Sequence, residues 1–196
     1  MSTWTWIAVV ALVVVVAVAL MTLARRRSTA LQERFGPEYN RAVEAAGLRG
    51  GEADLAGRTR RHDELHLITL SEPERLSYAQ RWRSTQERFV DRPADAVDEA
   101  ERLLTEVMEQ RGYPVTDFEE QAELVSVDHP QMVQDYRVAH EIHVRNLDRR
   151  ASTEDLREAL LRYRSLFDDL LRPLSGHEPV TTGSRWESTP DREGRR

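Results

Sequence analysis

The stretch WIAVVALVVVVAVALMTLA, residues 6–24, decides how the rest of the chain is read. It holds 19 residues, and no ionisable side chain occurs anywhere from residue 2 to residue 24. Coiled as a helix at 1.5 Å per residue it reaches about 29 Å, close to the roughly 30 Å hydrocarbon core of a bilayer. A lone segment in hydrocarbon must satisfy its own backbone, and only a helix does so. Trp4 and Trp6 stand at one end of the run and Arg25, Arg26 and Arg27 at the other, as expected of the two membrane interfaces. Three arginines follow the run and none precedes it. The positive-inside rule therefore places the C-terminal body in the cytoplasm and the short N-terminus outside. A cleaved signal peptide is the competing reading, but it needs a basic start and a shorter apolar run. Ala17-Val18-Ala19 has small-x-small form, yet Leu20, Met21 and Leu23 carry the apolar run past it. No two small residues sit four apart within the run, so the small-xxx-small dimer motif is absent.

Working outward, the chain has 196 residues with 28 basic and 34 acidic side chains, every basic one an arginine, and no cysteine. Disulfides, thiol nucleophiles and Cys-type zinc or iron–sulfur sites are excluded, as are a Schiff-base lysine and a phosphate-loop lysine. From residue 28 onward there remain 25 arginines against 34 acids, a net of −9. That balance speaks against nucleic acid as a partner. The body is roughly one-third apolar, which allows a modest core built from apolar stripes on helices.

The punctuation beyond the anchor is helical. Phe35-Gly36-Pro37 breaks the juxtamembrane stretch, residues 38–46 suit a short helix, and residues 47–51 read as a loop. Residues 52–67 read as another helix. Ser71-Glu72-Pro73-Glu74 is a capping-box signature, opening a helix on which Leu76, Ala79, Trp82, Gln86 and Phe89 share a face. Pro93 opens a stripe of Ala94, Val97, Ala100, Leu104, Val107 and Met108, which Gly112 and Pro114 stop. Thr116-Asp117-Phe118-Glu119 and Asp128-His129-Pro130-Gln131 read as two further helix starts, the second leading to Val133, Tyr136, His140, Val144 and Leu147. Ser152 or Thr153 caps a last helix striped by Leu156, Leu160, Tyr163, Phe167 and Leu170. Only residues 66–70 alternate, too few for a sheet. The expected fold is all-α, with a single N-terminal transmembrane helix, a small bundle of amphipathic helices and a disordered tail. Its expected parts are an anchor with basic stop at 1–27, a juxtamembrane helical linker at 28–70, a bundle at 71–173 and the tail at 174–196.

The phrases LQERFGPEYNRAV (31–43), RWRSTQERFVDRPADAVDEAERLLTEVMEQRGYP (81–114) and SVDHPQMVQDYRVAH (126–140) resemble a family of uncharacterised bacterial proteins common in actinobacteria. The resemblance implies an N-terminal membrane anchor and brings no catalytic residues.

Two histidine pairs have spacing that could bind a metal. His62 and His66 lie four apart in HDELH, but Asp63 stands where a zinc protease has its glutamate, and Glu64 is turned away. His140 and His143 lie three apart, with His140 on the apolar stripe. Solvated or core histidines are the simpler reading of both pairs, so no metal, cofactor or catalytic residue is assigned. Asp168-Asp169 and Glu119-Glu120 are adjacent on their helices and diverge by about 100°. Phosphate-loop, dinucleotide and serine-nucleophile motifs are absent. The sequence therefore leads to a single-pass cell-membrane protein whose partners are the lipid bilayer and another protein, acting as a non-catalytic interaction or scaffold module. A metal-assisted hydrolase using His62, His66, His140 and His143, or a structural subunit of an envelope complex, are the alternatives.

Overall fold

A computed structural model describes residues 3–173, and within the first helix the side chains of residue 6, 11–19, 21–23 and 25 onward. The described residues form seven helices and no strand. They are α1 (Thr3–Phe35), α2 (Pro37–Asp63), α3 (Glu72–Arg88), α4 (Pro93–Gln110), α5 (Phe118–Asp128), α6 (Val133–Leu147) and α7 (Thr153–Leu170). The fold is all-α. The 174–196 tail lies outside the described residues.

The expected transmembrane span needs a separate statement. Among the described residues no helix is long and apolar enough to cross a membrane.

α4 is the central helix. It packs on α3, α6 and α7, and α6 packs along α7. Val97, Ala100, Leu103, Leu104, Val107 and Met108 of α4 meet Tyr136, Ala139 and Ile142 of α6 and Leu156, Leu160, Tyr163, Leu166, Phe167 and Leu170 of α7 in one core. α3 contributes Trp82, which stacks on Phe167 with ring centroids 4.5 Å apart. The face of α3 differs from the expected one. Leu76 is 60% exposed, while Thr85 is buried with Trp82, and Tyr78 and Phe89 pack at the core's edge. Thr85 satisfies its hydroxyl on the Arg81 carbonyl, 3.1 Å away, so a polar residue can face inward there.

Cap chemistry sets most boundaries. The Glu74 carboxylate accepts from the Ser71 N–H and hydroxyl at 2.8 and 2.7 Å, and Asp155 accepts from both Ser152 donors at 2.8 Å. α4 ends in a Schellman arrangement: the Tyr113 N–H donates to the Met108 carbonyl and the Gly112 N–H to the Glu109 carbonyl. The 64–70 connection crosses this end, and the Ile68 N–H donates to the Arg111 carbonyl at 3.0 Å. The alternating 66–70 stretch is thus an extended strap rather than a strand. Two starts are displaced from expectation. Asp117, not Thr116, caps α5 by accepting from the Glu120 N–H. Asp128 closes α5 instead of opening α6, whose first helical residue is Val133.

The largest departure is in α2. Residues 47–51 form no loop; a single residue, Gly47 (φ 72°, ψ 170°), interrupts the helix. The two legs fold back on each other. A side chain on Gly51 would stand 2.7 Å from the Ala42 carbonyl, and Arg58 reaches Glu38 at 3.3 Å. In a straight helix residues 38 and 58 would lie about 30 Å apart. Leu55 closes against Phe35, Tyr39, Ala42 and, from α5, Val127. Residues 28–63 are therefore a compact helical hairpin seated on α5.

Charge replaces grease over much of that seat. Glu38 is 2% exposed and faces Arg58, Arg137 and, at its edge, Arg41. Arg58 also pairs with Asp54 and Glu123, Arg61 with Glu123, and Arg137 with Glu119. The Glu123 pairs cross from α2 to α5, the Glu38–Arg137 pair crosses from α2 to α6, and the Arg137–Glu119 pair joins α6 to α5. Buried ions this well surrounded by partners are costly to break singly, because each loss leaves an opposite charge dry and unpaired.

Candidate functional site

The residues expected at the membrane interfaces fall at both ends of the apolar part of α1. Trp6 is 65% exposed, and Leu12, Val13, Val14, Val15, Val16, Val18, Met21 and Leu23 are all exposed large apolar side chains. Arg25, Arg26 and Arg27 follow on exposed positions. The Trp4 side chain lies outside the described residues. The Ser28 hydroxyl of α1 lies 3.0 Å from the Tyr39 hydroxyl of α2. Along this unbroken helix the described large apolar side chains between residues 6 and 23 are thus exposed, a surface of a kind monomeric soluble proteins rarely expose.

The structure separates the histidines. α2 ends at Asp63, so His62 and His66 no longer share a helical face. His62 Nε2 lies 2.7 Å from an Asp128 oxygen, while His66 is exposed on the strap. His140 pairs with Glu101 at 3.0 Å and stacks flat on Phe118. His143 stands 3.2 Å from Asp98, which also accepts from Asn146. Each pair joins α6 to α4. Among the described residues no three histidine or carboxylate side chains converge to hold a metal ion. The four histidines of the hydrolase alternative do not meet.

The polar junction that sequence reading missed lies where α2, α4, α5 and α7 all end. Helix C-termini leave carbonyls unpaired and carry partial negative charge, and cationic or donor groups gather at this one. Asp128 accepts from His62 and from the Tyr113 hydroxyl, the latter at 2.9 Å. His129, the next residue, turns its Nδ1 to Asp169. Arg111, 1% exposed, donates to the Leu170 carbonyl at 2.6 Å and so caps α7. Burial pushes the Tyr113 hydroxyl and the Arg111 guanidinium toward their neutral forms. At Asp128 burial acts to raise the carboxyl, but the hydrogen bonds from His62 and Tyr113 outweigh it and leave it below its ordinary value. At His129 burial wins over the pull of Asp169, and the imidazole is held below its ordinary 6.5. The dipeptide DH at 128–129 was visible in the sequence, but its partners are 15 to 66 positions away and carry no local signal.

A pH dependence follows with a definite sign. The unfolded chain takes up a proton on His129 near pH 6.5, before the folded chain does. The contribution of His129 is therefore complete above that pH and is lost as pH falls through it toward the folded value. Asp128, lowered from 3.8, adds a second loss only in stronger acid. Urea unfolding of the full chain should show stability level above pH 7 and declining below it. The decline just below about pH 6.5 should be shallower in His129→Gln.

Compared with protein-family models, curated proteins and solved structures, the chain matches none.

Proposed function

We propose that the protein is a single-pass membrane-tethered helical module that acts by binding another protein and carries no catalysis of its own. Residues 6–24 are the span, Trp4 and Trp6 sit at the outer interface, and Arg25, Arg26 and Arg27 sit at the inner one. The body then stands in the cytoplasm. The observation that carries this reading is the uninterrupted helix from Thr3 to Phe35, on which the described large apolar side chains between residues 6 and 23 are exposed. The 19-residue run supplies the length for a crossing. The resemblance of about residues 31–147 to a family of uncharacterised bacterial proteins points the same way.

The body suits a binding role. Its core is filled by its own side chains, and the pairs Arg58–Glu38, His129–Asp169 and His140–Glu101 hold its helical segments together. Confinement to the membrane raises its effective concentration toward any membrane-bound partner. Topology is tested by fusing a reporter after Arg196. The expected result is activity of a cytoplasm-dependent reporter and silence of a periplasm-dependent one; the reverse pattern contradicts the orientation. Crosslinking of the full chain in its native membrane should capture one reproducible protein partner, and a chain that crosslinks to none would contradict the binding role.

A further inference from the structure

α5 holds the bundle with one face and the hairpin with another, and the two faces differ in kind. Ala122, Leu124 and Val125 enter the main core with α4, α6 and α7. On the other side, the hairpin's own cluster of Phe35, Tyr39, Ala42 and Leu55 takes a single buried side chain from α5, Val127. Charge makes up the rest of the seam. Glu38 faces Arg137 at 3.6 Å, Glu123 meets Arg58 and Arg61 at 3.5 and 2.7 Å, and His62 meets Asp128 at 2.7 Å. The hairpin is also tied to itself without help from the bundle. The Tyr39 hydroxyl donates to Glu52 and lies against the Ser28 hydroxyl, each at 3.0 Å, and Gly51 abuts the Ala42 backbone.

A seam of this kind separates more readily than a core. Stripping a buried ion of one partner is costly, but when two faces part together every ion regains water, and the desolvation that docking imposes is relieved. Little apolar contact is lost, since Val127 is the one buried apolar side chain that the hairpin cluster takes from α5. Polar interfaces between two bodies of one chain are where relative motion is expected. The chain also has a place to turn. α2 ends at Asp63, and the strap that follows is fixed to the bundle. Leu70 lies in the main core, Leu65 and Leu67 pack against it, and the Ile68 N–H donates to the Arg111 carbonyl. Residues 63–64 thus join a helix on one body to a strap on the other. Gly47 lies sixteen positions before Asp63, about 24 Å along the helix, so a small rotation at the junction moves the Gly47 turn far.

We propose that residues 28–63 are a detachable arm, which undocks from α5 and α6 as a folded unit by turning about residues 63–64 while α3 to α7 stay packed. α1 ends in this arm. Undocking therefore changes how the bundle stands relative to α1, and it uncovers the charged face of α5 together with Val127. The motion does not rest on the membrane reading; where residues 6–24 span a bilayer, it sets the stance of the bundle on the membrane.

The absence of native cysteine makes the test direct. Nitroxide pairs are placed on exposed positions of the full chain in nonionic detergent, and their separations are read by dipolar electron spin resonance. Ala46→Cys with Glu141→Cys spans the seam, Asn40→Cys with Ala53→Cys lies within the arm, and Glu87→Cys with Glu141→Cys lies within the bundle. Raising the salt from about 0.1 to about 1 M shortens the screening length from about 10 to about 3 Å. The seam pair should then show a second, longer distance whose share rises about fivefold, and Glu123→Gln should raise that share about as much at low salt. The arm and bundle pairs should each keep one distance throughout. A seam pair fixed at one distance under all conditions overturns the proposal. So does a longer distance that fails to respond to salt or to Glu123→Gln, because ion pairs then do not hold the seam. A bundle pair that changes together with the seam pair shows that the seam opens only when the whole body unfolds. An arm pair that changes shows a hairpin that melts instead of undocking. Either of these results also overturns the proposal.

Discussion

Glu38→Gln should lower the unfolding free energy of the full chain by about 3–5 kcal/mol, the cost of breaking a buried ion pair by removing one partner. The carboxylate lies 2% exposed between Arg58 and Arg137, which are themselves buried. Glutamine keeps the shape and a hydrogen-bonding oxygen, so what disappears is the charge. Two guanidiniums then remain in a dry site with less compensation than they need. The hairpin of residues 28–63 should loosen from α5 and α6 before the bundle melts, and amide exchange in α2 should speed up more than in α4 and α7. Arg58→Gln in the Glu38→Gln background should cost less than Arg58→Gln alone, since one of the three carboxylates that Arg58 meets is already neutral. Urea unfolding of the four chains in detergent measures all of this. Additive losses would contradict a coupled lock.

Trp82→Ala should cost a similar amount, about 3–5 kcal/mol, for a different reason. The ring is 3% exposed and stacks on Phe167 of α7, so its removal leaves a cavity between α3 and the core. Its indole nitrogen has no protein partner, and the loss is one of packing. Leu76→Ala on the same helix should stay within about 0.5 kcal/mol, because Leu76 faces outward. The sequence pattern put both residues on one face, so the pair of variants separates the observed packing from the expected one.

The contrast shows what local sequence could and could not convey. Ser71 and Ser152 announced their helices because a cap is satisfied within four residues. The stripes of α4 and α7 were legible because both helices bury an apolar face against a single core. α2 was not, because its inward positions include Glu38 and Arg58, which look solvent-facing until their partners on α5 and α6 are known. The turn at Gly47 was hidden for a related reason. One glycine can reverse a helix only where small residues let the legs touch, and the contact of Gly51 with Ala42 is a tertiary fact. Asp128 has the side chain of a helix cap but serves distant donors. The histidine pairs show the limit of spacing arguments: the end of α2 at Asp63 was enough to part His62 from His66.

The central claim is that residues 6–24 stay embedded in lipid and hold the body to the membrane. Alkaline carbonate extraction of membranes from cells making the full chain tests it most directly, with the mass of the recovered polypeptide read alongside. The account predicts a chain that resists extraction, stays with the lipid pellet and retains its apolar N-terminus. A chain released into the supernatant, or found outside the cell and trimmed near residue 20, would contradict it.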